Sequence, residues 1–387
     1  MSDDGRTSLD WRSYGRWYLG ALVLLLCVVA GVNFVVDPLG RWRLIDDENF
    51  NKYKVAAKRD SRVGKAVSLR ECDYDVVLLG SSRVESGLNP NYAGLPGQAY
   101  NSGLKAATIY ELDRLGRYAL EHQSPEMMVI GFDFLAFNER RVTYDDFPVS
   151  PLPERVMPWA LFKYLVSLEN LYGAYQTVLW NSTRDLQACV YNGFRKNRPR
   201  RLPMREEFSK TAENFLGNPD MYGGYLQSDA YPNRMRDLMI DLRRNGVDVR
   251  PFLSPIHAVL LEAIAHKGID DKFVEWKKDM VRIVAEANAA TPDVPPMQLW
   301  DFSGYNGITT EPVPETDADM YGFRDPSHYR QHIGVMIMDK LLGLPPSGDA
   351  PPADFGRVLT PDNVAEVLAQ QARDRAQYDF SEFMPPN

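Results

Sequence analysis

Asp75-Val76-Val77-Leu78-Leu79-Gly80-Ser81-Ser82-Arg83 places four apolar side chains in succession and closes them with a glycine and two serines. A strand covered on both faces has this unbroken apolar pattern, whereas a strand with one wet face alternates. The glycine permits a sharp turn at the strand end. Met127-Met128-Val129-Ile130-Gly131 repeats the pattern after Ser124 and Pro125. Residues 247–253 and 297–302 read as two further strands, and Ala99 to Gly103 as a weaker strand end. Between them, residues 105–121, 233–245, 257–265, 272–289 and 329–342 carry apolar spacing near the helical period, with Gly246 stopping the second. Repeated β–α units predict an α/β fold, a three-layer, doubly wound parallel sheet with right-handed crossovers.

Two stretches break the rhythm. Residues 147–225 are too long for a crossover and contain helical pieces such as 161–180, so a mainly helical insertion or cap is expected there. It separates a first part of the sheet domain, 75–146, from a second, 226–344. Within it Arg195, Lys196, Arg198, Arg200, Arg201 and Arg205 form a basic cluster. Such a cluster reads either as a solvated loop or as a contact for an anionic glycan, a lipid head group or a partner. Residues 345–387 read as a linker and a C-terminal helix, the composition turning to Pro, Gly and Asp from Pro345. The helix is short and peripheral, with Thr360 as its N-cap and Pro361 in its first turn.

Residues 17–36 carry no charge at all. At ~1.5 Å per residue such a run just crosses a hydrocarbon core of about 30 Å, and Trp17 and Tyr18 suit its interface. A buried core helix would show a polar stripe, and the run continues past the h-region of a cleaved signal peptide. An uncleaved transmembrane anchor is therefore expected, with residues 37–74 as a membrane-proximal connector. Lys and Arg flank both ends. Arg12 and Arg16 abut the run on one side and Asp37 on the other, which favours a cytoplasmic tail at 1–16 and an extracytoplasmic, periplasmic domain.

The chain has 387 residues, 44% hydrophobic and 25% charged, which excludes wholesale disorder and a polytopic membrane protein. Its 44 Lys and Arg against 52 Asp and Glu give a net charge of -8, a poor match for nucleic acid. Three cysteines, Cys27, Cys72 and Cys189, without a C-x-x-C pair exclude a cysteine-based zinc site. Cys72 and Cys189 could pair in an oxidising compartment, though nothing in the sequence requires it.

Sites in such sheets lie at the carboxyl ends of strands. Gly80-Ser81-Ser82-Arg83 places a serine there, with backbone N–H groups at a helix start; it also reads as an ordinary turn or N-cap. Asp325-Pro326-Ser327-His328 lies between the last strand and the last helix. An Asp three residues before a His can fix the imidazole tautomer, and Asp before Pro is equally a helix start. Both loops fall on one edge of the sheet, so an alcohol nucleophile, Ser82, a base, His328, and an orienting carboxylate, Asp325, can converge. His257 is a reserve base. His328 and His332 have metal-ligand spacing, but the glutamate of H-E-x-x-H is absent, so no metal is expected. Neither is a cofactor, since the first β–α turn lacks G-x-G-x-x-G and a nucleotide-binding reading fails.

These residues resemble the SGNH, or GDSL-type, hydrolase superfamily over roughly residues 75–344, interrupted by the insertion. Gly80-Ser81-Ser82 resembles the Gly-Asp-Ser block, with Ser82 as nucleophile, and Asp325 to His328 matches the Asp-x-x-His block. Asn101-Ser102-Gly103 resembles the second block, whose glycine donates a backbone N–H to the oxyanion. The resemblance thus implies an oxyanion hole from Ser82 and Gly103, with Asn101 or Asn138 substituting for a missing residue. That residue is the Asn of the third block. Gly131-Phe132-Asp133-Phe134 carries Asp in its place, and a carboxylate there would oppose an oxyanion.

A single anchor followed by Gly-Ser-Ser-Arg is similar to envelope acyl-transfer proteins of alginate O-acetylation and teichoic acid D-alanylation. The resemblance implies esterase or O-acyltransferase chemistry on an envelope glycan or acylated polymer, beside a membrane-bound O-acyltransferase. The departure at Asp133 leaves a second expectation, a degenerate scaffold or glycan-binding subunit.

Overall fold

The computed structural model describes residues 11–57, 61–183, 189, 191–196, 202–316 and 318–385. Arg198, Arg200 and Arg201 of the basic cluster lie outside them, as do residues 1–10 of the expected tail. The chain divides into two compact units, residues 1–67 with 145–188, and residues 68–144 with 189–387.

The first unit begins with α1 (Trp11–Val36), a helix of 26 residues that is long and apolar enough to cross a membrane. Asp37 stops it in the left-handed region at φ 52°, and its carboxylate accepts the N–H groups of Arg41, Trp42 and Arg43 at 2.8–2.9 Å. The division of the chain falls within α2 (Arg62–Glu71). Two further helices complete the first unit, α5 (Pro158–Val166) and α6 (Leu168–Thr183). Asn33 of α1 donates to the carbonyls of Leu165 and Ser167 at their junction, at 2.8 and 2.9 Å. Tyr164 donates to Asp37 at 2.7 Å. These bonds commit α5 and α6 to the N-terminal helix, so residues 147–225 are not the single insertion expected.

The second unit holds a six-stranded sheet in the order β2-β1-β3-β4-β5-β8. Its strands are β1 (Val76–Leu79), β2 (Ala99–Asn101), β3 (Met127–Phe132), β4 (Asp248–Leu253), β5 (Leu299–Asp301) and β8 (Arg357–Leu359). The first five are parallel and β8 is antiparallel to β5. A separate two-stranded hairpin consists of β6 (Phe323–Asp325) and β7 (His328–Tyr329). The helices are α3 (Ser82–Gly87), α4 (Ile109–His122), α7 (Met204–Gly217), α8 (Ala230–Arg244), α9 (Ala258–His266), α10 (Asp270–Ala289), α11 (Gln331–Leu342) and α12 (Val364–Arg375).

All four side chains of β1 are buried, as the unbroken apolar run requires. Val76 and Leu78 join a core with Val129, Met336 and Ile337. Leu79 faces the other way, where a Cβ on Gly116 of α4 would meet both Leu79 and Leu238 of α8. Both sheet faces are therefore covered, and each buried Val or Leu contributes about 1.5–3 kcal/mol of transfer free energy. The strand order reverses between β1 and β3, which opens a crevice at their carboxyl ends.

The C-terminal stretch is not peripheral. β8 extends the sheet, Phe355 is buried, and Gln371 of α12 accepts from the buried Lys277 Nζ at 2.9 Å. Lys277 also pairs with buried Asp301 at 2.8 Å. Strand β8 is too short to show a period in sequence. The cap of α12 is Asn363, and Thr360, expected as the cap, accepts the Asn363 N–H at 3.3 Å.

Candidate active site

The second unit brings the loop after β1 against the β6–β7 hairpin. Gly80 is required there by close approach, since a Cβ would lie 2.3 Å from Val84 Cγ2 and 3.0 Å from Gly131 O. Ser81 is the N-cap of α3, and its hydroxyl accepts the Arg83 N–H at 3.2 Å. Ser82 is the first helical residue. Its backbone N–H is one of those that lack an intrahelical partner. The Ser82 hydroxyl stands 2.9 Å from His328 Nε2.

Asp325 is not the helix N-cap that the Asp-Pro pattern offered. It ends β6, and its Oδ1 accepts the N–H groups of Ser327 and His328, both at 2.9 Å, which folds the tight turn of the hairpin. The same carboxylate lies 2.8 and 2.9 Å from His328 Nδ1. With Nδ1–H donating to Asp325, Nε2 is left to accept the Ser82 proton. Burial works against the Asp325 charge. The His328 imidazole, its hydrogen bond, Arg324 and the Ser327 N–H outweigh burial and hold the carboxyl well below the usual carboxylate range. Asp325 is therefore ionised wherever the protein is folded near neutral pH.

A cavity of about 300 Å³ opens beside Ser82 and His328. Lys105, Arg141 and Arg195 are among its lining residues, as are Asp133, Glu207 and Phe215. Arg195 pairs with Glu85 of α3 at 2.8 Å, and its N–H donates to Glu85 O at 2.9 Å. A disulfide, Cys72–Cys189, ties the segment carrying Arg195 to the start of the second unit. Among the described residues of the basic cluster, Arg195 lines this cavity, whereas Arg205 pairs with Glu315 and Glu382. Desolvation lowers the Arg141 pKa and Arg83 lowers it further, against the attraction of Glu111.

The expected oxyanion hole is corrected in two of its members. The Gly103 N–H donates to Asn101 Oδ1 at 2.9 Å, so it is already committed. Asn101 Nδ2 donates to the carbonyls of Val84 and Leu88 at 2.8 and 2.7 Å, so this amide ties β2 to α3. Asn138 is no substitute, since it bonds Met221, Arg140 and Leu226. Both asparagines are spent on holding loops.

Asp133 does not confront the site as a bare charge. Its Oδ1 accepts from Arg83 Nη1 in a buried ion pair. Arg83 also donates from Nε to Ser327 O at 2.9 Å and from Nη2 to Ser327 Oγ at 3.2 Å. Burial lowers the Arg83 pKa, but Asp133 together with Tyr222 and Tyr329 more than restores it, leaving the guanidinium above its usual value. Arg83 thus connects the ends of β1 and β3 to the turn that carries His328. The sequence offered one signal, a lone Arg and a lone Asp of opposite sign at the ends of two strands. Breaking the pair leaves a buried charge without a partner. Arg83→Met is expected to lose on the order of 3–5 kcal/mol in denaturant titration, and adding Asp133→Asn to recover most of it. Equal loss in the double variant would show that the pair is not the source.

His257, the reserve base, is displaced from the chemistry. It is fully buried, caps α9 by accepting the Val259 N–H at 3.2 Å, and donates from Nε2 to Glu311 O at 2.7 Å. Burial pushes its pKa down to about 4, against the Glu311 hydrogen bond. The unfolded chain takes up this proton first, near pH 6.5, so stability falls as pH drops from 6.5 to about 4. The loss is on the order of 3 kcal/mol, and His257→Gln is expected to flatten the slope in unfolding titrations across that window. An unchanged slope would assign it to other groups. His332, the second residue of α11, packs on the Tyr321 ring at 4.3 Å between centroids.

No protein-family profile and no curated protein matches this chain.

Proposed function

We propose that the chain is a membrane-anchored, SGNH-like serine esterase or O-acyltransferase. It acts on the periplasmic side on an ester carried by a cell-envelope glycan or other polymer. One observation carries the reading: Ser82, His328 and Asp325 stand in hydrogen-bonded series at the carboxyl end of β1, beside an open cavity. An Oγ–Nε2 separation of 2.9 Å is proton-transfer distance, and the carboxylate on Nδ1 fixes the tautomer that transfer requires.

In the proposed reaction Ser82 loses its proton to His328 Nε2 and attacks the ester carbonyl. Asp325 stabilises the imidazolium that forms. The Ser82 N–H and the cationic Arg141 on the cavity wall take the oxyanion in place of Gly103. His328 then returns the proton to the departing alcohol, leaving an acyl-serine. Water or a sugar hydroxyl, deprotonated by the same imidazole, removes the acyl group. The chemistry needs no metal and no cofactor. A membrane-bound O-acyltransferase that exports acyl groups is the partner this scheme calls for. The lining of Lys105, Arg141 and Arg195 suits an envelope polymer that carries negative charge.

The second reading, a degenerate scaffold or glycan-binding subunit, is favoured by one observation, the commitment of Gly103 N–H to Asn101. Hydrolysis of a small chromogenic acetyl ester by the full chain in detergent separates the two. Turnover above the uncatalysed rate supports the enzyme, and its absence the scaffold. For the anchor, a periplasm-dependent reporter fused after Asn387 is expected to be active, and a cytoplasm-dependent one silent. The reverse would overturn the topology.

A further inference from the structure

In the first unit, α1 is buried on only three residues, Val29, Asn33 and Val36, at i, i+4 and i+7. They lie along its last two turns, and Asn33 fixes the α5–α6 junction there through Leu165 O and Ser167 O. Val29 to Val36 spans about 10 Å of helix at ~1.5 Å per residue. If α1 crosses a bilayer, this junction is held at the depth where head groups meet acyl chains.

The surface that α5 and α6 turn outward is apolar. Leu168, Tyr172, Tyr175 and Leu179 follow one another at i, i+4, i+7 and i+11 along α6, exposed by 72, 62, 62 and 45%. The opposite face of α6 is small and buried, with Gly173, Ala174, Thr177 and Asn181, and a Cβ on Gly173 would press on Ala56 at 2.9 Å. On α5, Trp159 and Phe162 are exposed by 53 and 64%. Across residues 158–183 only Lys163 and Glu169 carry charge. A water-facing helix inverts this order, with its apolar stripe inward.

We infer that α5 and α6 lie in the outer-leaflet interface, their aromatic face in contact with lipid. Three features select lipid as the occupant. The junction is bonded to the end of a membrane-spanning helix, so lipid is its default neighbour on every side that protein does not cover. The buried stretch of α1 reaches about 10 Å back from its outer end, comparable to the 5–10 Å to which interfacial helices sink. Trp and Tyr, apolar bodies with a wet end, are the residues that settle at this level. This interface would hold α5 and α6 against the leaflet rather than leave α1 as a simple tether. The inference rests on the anchor proposed above and is independent of the chemistry at Ser82.

The test uses the full chain, with Cys27→Ser and the disulfide intact, in phosphatidylcholine–phosphatidylglycerol nanodiscs. A fluorescent nitrobenzoxadiazole is placed through Phe162→Cys, Tyr172→Cys, Leu24→Cys or Lys272→Cys, one at a time. Positions 24, 162 and 172 are exposed and the Lys272 side chain is partly so, which keeps every probe out of a core. Probes at 162 and 172 are expected to be quenched severalfold more than at 272 by lipid nitroxide-labelled near the head group. The probe at 24 is expected to respond more to a nitroxide near the chain end. Quenching at 24 with none at 162 and 172 would overturn the interface and leave the anchor standing. No quenching at any position would overturn both. Photo-crosslinking from 162 to another membrane protein, without quenching, would assign the face to a protein partner and overturn lipid contact.

Discussion

Ser82→Ala is expected to abolish labelling by a serine-directed fluorophosphonate and to lower ester turnover by on the order of 10⁴-fold or more, because the remaining members of a triad cannot act without the nucleophile. Ser81→Ala is expected to keep its labelling, since that hydroxyl is spent on the Arg83 N–H. Its effect belongs to stability, about 1 kcal/mol for a lost N-cap. Ser82→Ala removes one half-exposed hydroxyl and is expected to shift stability by no more than about 0.5 kcal/mol. The contrast between the two neighbours carries the test. Labelling retained in Ser82→Ala, or lost in Ser81→Ala with the fold intact, would overturn the assignment and leave the scaffold reading ahead.

Asp325→Asn is expected to be nearly as damaging to rate, on the order of 10⁴-fold in kcat, by analogy with removal of charge from a Ser-His-Asp triad. The amide keeps an oxygen to accept from the Ser327 and His328 N–H groups, so the turn is retained. What it loses is the negative charge beside Nδ1. His328 can then adopt the tautomer with hydrogen on Nε2, which cannot accept from Ser82. Unfolding measurements at neutral pH check that the hairpin survives. Full activity in Asp325→Asn with unchanged stability would return Asp325 to a purely structural role in the hairpin.

The anchor-length helix and the sheet core were legible because they rest on one-dimensional patterns. An uncharged run predicts a long apolar helix whatever packs beside it, and α1 extends six residues further toward the N-terminus than the run, to Trp11. Unbroken apolar tetrads predict strands covered on both faces, and β1 is such a strand. Strand β8 and the division of residues 147–225 were not legible. The first has three residues, too few for a period. The second depends on Asn33 and Tyr164 meeting partners more than a hundred positions away, and single side-chain bonds leave no periodic trace.

At the site, the sequence by itself determined which chemistry-bearing residues stand at strand ends, Ser82 after β1 and the Asp325–His328 turn before α11. Backbone spacing alone puts both on one edge of a parallel sheet. Only the tertiary structure decided how the polar groups around them are spent. The Gly103 N–H, free in the linear reading, is taken by Asn101. Asp133, expected to repel an oxyanion, is held by Arg83, and His257 is buried as the N-cap of α9. The reason is physical. Hydrogen bonds and charges in a low-dielectric interior are settled by which partner lies within about 3 Å, and that distance comes from packing rather than from order along the chain.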